Sequence, residues 1–151
     1  MSLTGFSLQN RTALVLGASS AIGRAAALAL AEAGADVAVS TTLATQREEL
    51  ALKECHEKIH ALGKKSFAQT IDAAREADVQ TLITRTVSEL GRLNILVNAH
   101  DLPFAKPFAD ITPKEWQRVL EVNLTGVYLA CRAVAEPLLS HGDYGRIINI
   151  V

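Results

Sequence analysis

The segment 12-TALVLGASSAIGRAAALALAEAG-34 contains a strand, a glycine-bearing turn and a helix in direct succession. Thr12–Leu16 is a largely apolar run, which is typical of a strand buried on both faces of a parallel sheet. The turn Gly17–Gly23 follows, and an alanine-rich helical stretch then runs to Ala33, where Gly34 ends it. Such a turn presents backbone N–H groups at a helix N-terminus, where the helix dipole favours an anion. The segment therefore predicts a phosphate-binding turn.

The glycines and the serines of this turn have different predicted roles. Gly17 lets the backbone turn tightly, and Gly23 lets the helix pack close to the sheet. The serine hydroxyls can either cap the helix or hold a phosphate, so a plain strand–helix connection with a capping serine remains the alternative. The candidate cofactor-binding residues of the turn are Gly17, Ser19, Ser20, Ala21, Ile22 and Gly23.

Strand and helix patterns alternate along the rest of the chain. Further strands are predicted at Val37–Ser40, Ser66–Thr70, Ile95–Asn98 and Arg146–Val151, and helices at Gln46–Leu62, Glu76–Leu90 and from Thr112 to about Leu139. Such alternation gives a parallel sheet with helices on both faces and right-handed crossovers. We predict a doubly wound α/β fold of Rossmann-like type, with five strands in the order 3-2-1-4-5 and residues 1–151 forming one dinucleotide-binding domain.

The composition limits the classes of partner that we expect the chain to bind. The chain has 151 residues, of which 49% are hydrophobic and 21% charged, with a net charge of -1. This describes an ordinary globular domain and gives no electrostatic reason to expect nucleic acid or an anionic membrane. No window approaches the roughly 18 apolar residues of a membrane span. The two cysteines, Cys55 and Cys131, are best read as reduced thiols of a cytoplasmic protein.

The segment 56-HEKIH-60 raises a different possibility. In a zinc metallohydrolase with this motif, His56 and His60 bind the metal and Glu57 activates water. A third ligand is needed, and Ser66 stands where one form of the motif has histidine. A helix with both histidines beside a buried apolar stripe explains the pattern more simply, so we expect no metal here.

Four segments resemble those of the short-chain dehydrogenase/reductase family. LGASSAIGRA, which holds Gly17 and Gly23, resembles its Thr-Gly-x-x-x-Gly-x-Gly turn, and 95-ILVNAHD-101 resembles its Leu-Val-Asn-Asn-Ala-Gly segment. The stretch 120-LEVNLTGVYLACRA-133 resembles the family's helix with the catalytic asparagine, and 145-GRIINIV-151 resembles the strand that leads into its catalytic serine. The overall pattern is similar to 3-oxoacyl-carrier-protein reductases and sugar-acid dehydrogenases. The resemblance implies an NAD(P)-dependent oxidoreductase that moves hydride between nicotinamide and a carbonyl or secondary alcohol.

The resemblance also implies roles for single residues. Asn123 falls on the family's catalytic asparagine, which kinks its helix and holds a water of the proton relay, and Asp72 falls on an acid that contacts adenine. The remaining cofactor-binding candidates are Thr41, Thr42, Ala73, Asn98, Ala99 and His100. The sequence departs from the family at Ala21, where a glycine is usual, and at His100 and Asp101, where small residues are usual. These last two are either solvated loop residues or altered cofactor or substrate contacts.

The choice between the two dinucleotides rests on the end of the second strand. An NAD-preferring fold would place Asp or Glu near Thr41 to accept from the ribose 2′-OH, and none is there. An NADP-preferring member often has Arg or Lys at the positions of Ser20 or Thr42, and neither is basic. The missing acid favours NADP, with NAD as the other possibility.

The family's Ser, Tyr and Lys lie beyond its fifth strand. Tyr128 and Tyr144 do not match, because neither is followed four residues later by Lys. We therefore expect residues 1–151 to be the N-terminal part of a longer subunit, with the C-terminal part of the fold missing. The alternative is a non-catalytic nucleotide-binding member. The resemblance implies a small carbonyl or alcohol as substrate, which the sequence does not identify, and a homodimer or homotetramer.

Overall fold

A computed structural model describes residues 6–42, 44–139 and 145–150. Its centre is a five-stranded parallel sheet in the order β3-β2-β1-β4-β5. The strands are β1 (Thr12–Leu16), β2 (Asp36–Thr41), β3 (Ser66–Thr70), β4 (Ile95–Asn98) and β5 (Arg146–Asn149). The predicted fold class and strand order are confirmed.

The described residues form five α-helices. They are α1 (Ala21–Glu32), α2 (Gln46–Ala61), α3 (Glu76–Leu90), α4 (Pro113–Leu120) and α5 (Gly126–Leu139). Of these, α1, α2, α3 and α5 pack on the two faces of the sheet. One apolar cluster joins β1, β2 and β4 to α1 and α2, and a second joins β1 and β4 to α3 and α5. Every residue of β1 is buried because both faces of this central strand are covered. This burial on both faces explains why the sequence of β1 is a largely apolar run.

Several element boundaries differ from their predictions by one residue at an end. β2 begins at Asp36 and ends at Thr41, where Val37–Ser40 was predicted. α2 ends at Ala61, and Leu62 is its exposed C-cap residue, not part of the buried stripe that Leu52, Cys55 and Ile59 form. Apolar spacing cannot separate the last helical residue from the cap, because both follow the same period.

The helix predicted from Thr112 to about Leu139 is divided. Its start is confirmed, since Thr112 caps α4 in a reciprocal capping box with Glu115. A π-helical turn at Glu121–Thr125 then separates α4 from α5. The π-turn inserts an i→i+5 hydrogen bond, here from the Gly126 N–H to the Glu121 carbonyl. Trp116, on α4 before this turn, is 53% exposed.

The last strand is shorter than predicted. β5 spans Arg146–Asn149 and forms the edge of the sheet beside β4. Val151, included in the prediction, and Tyr144, placed in the loop before this strand, lie outside the described residues. In the part of the chain that the structure describes, no helix has the length and apolar character needed to cross a membrane.

Candidate nucleotide-binding site

The turn after β1 is fixed to the neighbouring strands by its backbone. The N–H groups of Gly17 and Ala18 both donate to the carbonyl of Ser40, at 2.9 and 2.8 Å. Gly17 has a φ of 87°, and a Cβ there would lie 2.4 Å from the backbone nitrogen of His100. Only glycine therefore permits both the left-handed backbone and the close approach of the chain after β4.

Ser20 connects the turn to the first helix. It is the N-cap of α1: its Oγ accepts from the N–H of Gly23 at 3.0 Å and donates to the carbonyl of Gly17 at 2.9 Å. Ser19 Oγ lies 2.8 Å from Thr41 Oγ1 at the end of β2. Both serines thus hold the turn in place, and the capping alternative considered for Ser20 describes its contact correctly.

Three backbone amides of the turn are left for a ligand. The N–H groups of Ser19, Ala21 and Ile22 have no acceptor among the described residues. Ala21 and Ile22 are exposed, and the first turn of α1 contains no acidic side chain. Unsatisfied donors at the N-terminus of a 12-residue helix form a site for phosphate groups. This arrangement fits the diphosphate of a dinucleotide.

Two cavities open on either side of this turn. A cavity of about 190 Å³ extends toward β2 and α2, and one of about 560 Å³ extends toward the π-turn and β5. The first is lined by Gly17, Ser19, Ser20, Thr41, Thr42, Glu48, Ala99, His100, Asp101 and Pro103. The second is lined by Ser20, Ala21, Ile22, Ala99, His100, Asp101, Asn123, Val127, Asn149 and Ile150. The two cavities share Ser20, Ala99, His100 and Asp101 as lining residues, so they adjoin the same turn.

His100 is a buried residue of this site. Its side chain is only 6% exposed, with Nε2 3.2 Å from the carbonyl oxygen of Val122 in the π-turn. Burial lowers the pKa of His100 below its ordinary value, opposed by the hydrogen bond to the Val122 carbonyl and by the charge of Asp101. Its Nδ1 has no partner among the described residues. The alternative of a solvated loop residue is therefore wrong for His100, whereas Asp101 is exposed.

Asn123 connects the π-turn to the loop after β4. Its Oδ1 accepts the backbone N–H of Leu102 at 2.7 Å, and its Nδ2 donates to the Leu102 carbonyl at 3.3 Å. The residue is exposed at the edge of the larger cavity, so it is not a core amide buried among apolar groups. The kink expected at Asn123 is present as the π-turn.

Four of the predicted cofactor residues line neither cavity. Asp72 bonds the Ala74 N–H through Oδ1 at 3.1 Å and forms an ion pair with Arg118. The other three are buried: Gly23, Ala73 and Asn98. Asn98 donates from Nδ2 to Asn149 Oδ1 at 2.8 Å, which joins β4 to β5. The contribution of these four residues to the site is therefore structural, since none of them lines a cavity.

Glu48 is a lining residue that the sequence analysis missed. It lies in the first turn of α2 and contributes to the smaller cavity beside Thr41 and Thr42. The sequence 45-TQRE-48 is a capping-box pattern, which alone indicates a helix cap and not a ligand contact for this acid. Glu48 lies seven residues beyond Thr41, outside the strand end at which such an acid is expected.

The 56-HEKIH-60 helix lies away from both cavities. Ser66, at the position where a third metal ligand was sought, lies with its Oγ 3.0 Å from His56 Nδ1. The rings of His56 and His60 touch edge to face, 4.5 Å apart. Within the described ranges, no three His, Cys, Asp or Glu side chains come together at a spacing that suits a metal ion.

Comparison with known proteins identifies one family. The family described as short chain dehydrogenase matches residues 11–151. The short chain dehydrogenase/reductase astE of Aspergillus oryzae is 38% identical over 146 residues, which is 96% of this chain and 54% of that protein. The 2-dehydro-3-deoxy-D-gluconate 5-dehydrogenase of Escherichia coli is 31% identical over 99% of this chain and 56% of its own length. The chain thus spans about half the length of the curated relatives it matches.

Solved structures of the family superpose closely. A short-chain type dehydrogenase/reductase from Mycobacterium marinum has a TM-score of 0.87 and 33% identity, covering 99% of this chain and 58% of that one. A short chain dehydrogenase from Mycobacterium paratuberculosis, solved bound to NAD, has a TM-score of 0.88 and 26% identity over 95% of this chain and 56% of that one.

Proposed function

The chain belongs to the short-chain dehydrogenase family, and from this membership we propose that it carries the cofactor-binding part of an NAD(P)-dependent oxidoreductase. The substrate class is a small carbonyl compound or secondary alcohol. The observation that carries the proposal is a set of three amides, at Ser19, Ala21 and Ile22, that have no acceptor among the described residues and belong to residues lining the two cavities. The nicotinamide ring, when bound, supplies hydride transfer.

The residues of this chain have distinct proposed tasks. The turn Gly17–Gly23 binds the diphosphate through its backbone amides and the dipole of α1. Thr41, Thr42, Ala99 and His100 form walls of the smaller cavity, which suits the adenosine half. The backbone around Asn123, held by Leu102, faces the larger cavity, which suits the nicotinamide half. We propose that Asn123 positions a water there for proton transfer.

Two of the predicted cofactor-binding residues, Asp72 and Ala73, do not line the cavities. Asp72 is engaged with Arg118 and the Ala74 amide, and neither Asp72 nor Ala73 lines a cavity. An adenine contact of Asp72 would require its side chain to leave Arg118. We therefore propose that Asp72 and Ala73 shape the floor near α4 and that their part in cofactor binding is indirect.

The preference between the two dinucleotides remains a prediction. The sequence favoured NADP because β2 ends in Thr41 and Thr42 with no acid. The two carboxylates that line the smaller cavity, Glu48 and Asp101, favour NAD.

A non-catalytic nucleotide-binding role is the second candidate. Two residues favour it: the methyl group of Ala21 stands at the mouth of the larger cavity, and Asp101 adds negative charge where an anionic ligand would bind. Dinucleotide binding without turnover of any carbonyl or alcohol, in a polypeptide that carries the whole fold, would support this candidate over the oxidoreductase.

Assembly and location are part of the same proposal. The helices α4 and α5, with the π-turn between them, expose large apolar side chains at Trp116, Leu124, Tyr128 and Leu139. An exposed apolar surface of this kind is typical of a subunit interface. We propose a homodimer or homotetramer that acts in the cytoplasm.

The binding function can be tested at the turn itself. Isothermal titration with NADH and NADPH measures affinity, and Ile22→Glu places a carboxylate among the free amides at an exposed position. We expect this variant to lose about tenfold or more in affinity. Ala29→Glu, with the same charge change at an exposed position of α1, is the matched control and should bind normally. No binding of either dinucleotide to the parent protein would refute the proposal.

A further inference from the structure

We propose that Glu48 makes this protein select the unphosphorylated dinucleotide, NAD(H), by accepting the adenosine ribose hydroxyl and repelling a 2′-phosphate. The inference rests on the proposed function, since it assigns the specificity of the same site. Glu48 belongs to α2 and not to the strand end at which such an acid was sought.

The position of Glu48 is the first observation. Its half-buried side chain lines the smaller cavity together with Ser19, Thr41 and Thr42. The hydroxyls of Ser19 and Thr41 bond each other at 2.8 Å. They are neutral groups already engaged, so the carboxylate of Glu48 is the strongest hydrogen-bond acceptor on this side of the cavity.

The second observation is that this carboxylate has no bonding partner among the described residues. Glu48 and Glu115 occupy the same position of two Thr-x-x-Glu sequences. Glu115 turns back to its cap and accepts from the backbone N–H of Thr112 at 2.8 Å. At the other helix, Thr45 Oγ1 accepts from the Glu48 N–H at 3.3 Å, but the reciprocal bond is not formed. The Glu48 carboxylate has no hydrogen-bond or ion-pair partner among the described residues, so it is available to a ligand.

The third observation is the sign of the charge around the cavity. The ten described lining residues include two carboxylates, Glu48 and Asp101, and no Lys or Arg. The neighbouring cation on α2, Arg47, is exposed and lines neither cavity. A 2′-phosphate carries close to two negative charges and is normally bound by a cationic partner. Placed here it would meet like charge, whereas a ribose hydroxyl would donate a charge-assisted hydrogen bond to Glu48.

The experiment compares dissociation constants for NADH and NADPH, measured by isothermal titration or nicotinamide fluorescence on the intact protein. The variants are Glu48→Gln, which removes the charge and keeps the shape, and Glu48→Lys, which reverses the charge. Glu49→Gln is the matched control, because Glu49 is the next residue of the same helix turn, is exposed and lines neither cavity.

We expect the parent protein and Glu49→Gln to bind NADH about tenfold or more tightly than NADPH. In Glu48→Gln the ratio should approach one, mainly through tighter NADPH binding, and in Glu48→Lys it should reverse. Equal or tighter NADPH binding by the parent protein, or an unchanged ratio in Glu48→Gln, would overturn the role of Glu48 and leave dinucleotide binding intact. Failure of both dinucleotides to bind would instead reject the proposed function itself.

Discussion

A Cβ atom at residue 23 would lie 2.2 Å from the carbonyl oxygen of Gly17. This distance is far inside any ordinary contact, so the first turn of α1 lies directly on the backbone that leaves β1. The same carbonyl accepts the hydroxyl of Ser20 at 2.9 Å. This close contact between turn and helix fixes the backbone that carries the amides of Ser19, Ala21 and Ile22, which have no acceptor among the described residues.

The sign of the change in unfolding free energy caused by Gly23→Ala tests this packing. In a helix without the clash, alanine would stabilise the protein by about 1 kcal/mol relative to glycine. Because the added methyl group meets the Gly17 carbonyl, we expect a loss of about 1–3 kcal/mol in the free energy of unfolding, measured with urea. An increase in stability would show that the helix is not held against the turn as described.

Ala21→Gly tests whether the methyl group at the N-terminus of α1 hinders the diphosphate. Ala21 is exposed and lines the larger cavity, so its removal opens space beside the free amides. We expect dinucleotide affinity to rise several-fold, at a cost of up to about 1 kcal/mol in stability. Affinity is measured by titration and stability by urea unfolding. Weaker binding in Ala21→Gly would mean that the methyl group contacts the ligand favourably.

Asn123→Ala removes both hydrogen bonds to the backbone of Leu102. Since the residue is exposed, water replaces the lost partners and the cost should be only about 1 kcal/mol. The local effect is larger: hydrogen exchange of the Leu102 amide should accelerate about fivefold or more. Asn123→Asp keeps the acceptor for that amide and serves as the control. Equal protection of the Leu102 amide in the alanine variant would contradict the contact.

His100 gives folding stability a defined pH dependence. Burial lowers its pKa from the ordinary value of 6.5, so the unfolded chain binds a proton at His100 before the folded protein does. Its contribution to stability is complete above the unfolded pKa and declines as the pH falls below about 6.5 toward the folded pKa. Stability measured between about pH 7.5 and pH 5 should therefore fall less steeply in His100→Gln than in the parent protein.

His56 provides the comparison for this experiment. Its pKa is also lowered, first by burial and then by the neighbouring His60, but the side chain is more accessible than that of His100. His56→Gln should remove a smaller part of the pH dependence. If His100→Gln leaves the slope unchanged while His56→Gln flattens it, the buried histidine is not the group that titrates.

The sheet was predictable because its signals are local. The run Thr12–Leu16 and the segment Ile95–Asn98 are apolar on both faces, and the structure covers both faces of each strand. The strand order followed from the parallel crossovers that the alternating helices impose. The capping box at Thr112 fixed the start of α4 for an equally local reason, since both of its residues lie within one turn.

The site was harder to predict because it depends on contacts between distant segments. The π-turn at Glu121–Thr125 keeps the apolar spacing of an ordinary helix, so periodicity did not reveal it. The buried His100 contacts the Val122 carbonyl of the π-turn, 22 residues further along the chain. Glu48 and Glu115 have the same local sequence pattern, and only the tertiary structure shows which one closes its cap.

The most direct measurement of the central claim follows the backbone amides of the turn by NMR in ¹⁵N-labelled protein during titration with NADH. The amides of Ser19, Ala21 and Ile22 have no acceptor in the described part of the chain, whereas those of Gly63 and Gly91, at the ends of α2 and α3, are bonded to carbonyls and serve as controls. We expect large, saturable shifts for the three turn amides and none for the two controls. Saturable binding of NADH that leaves the turn amides unshifted would contradict the assignment of the diphosphate to this turn.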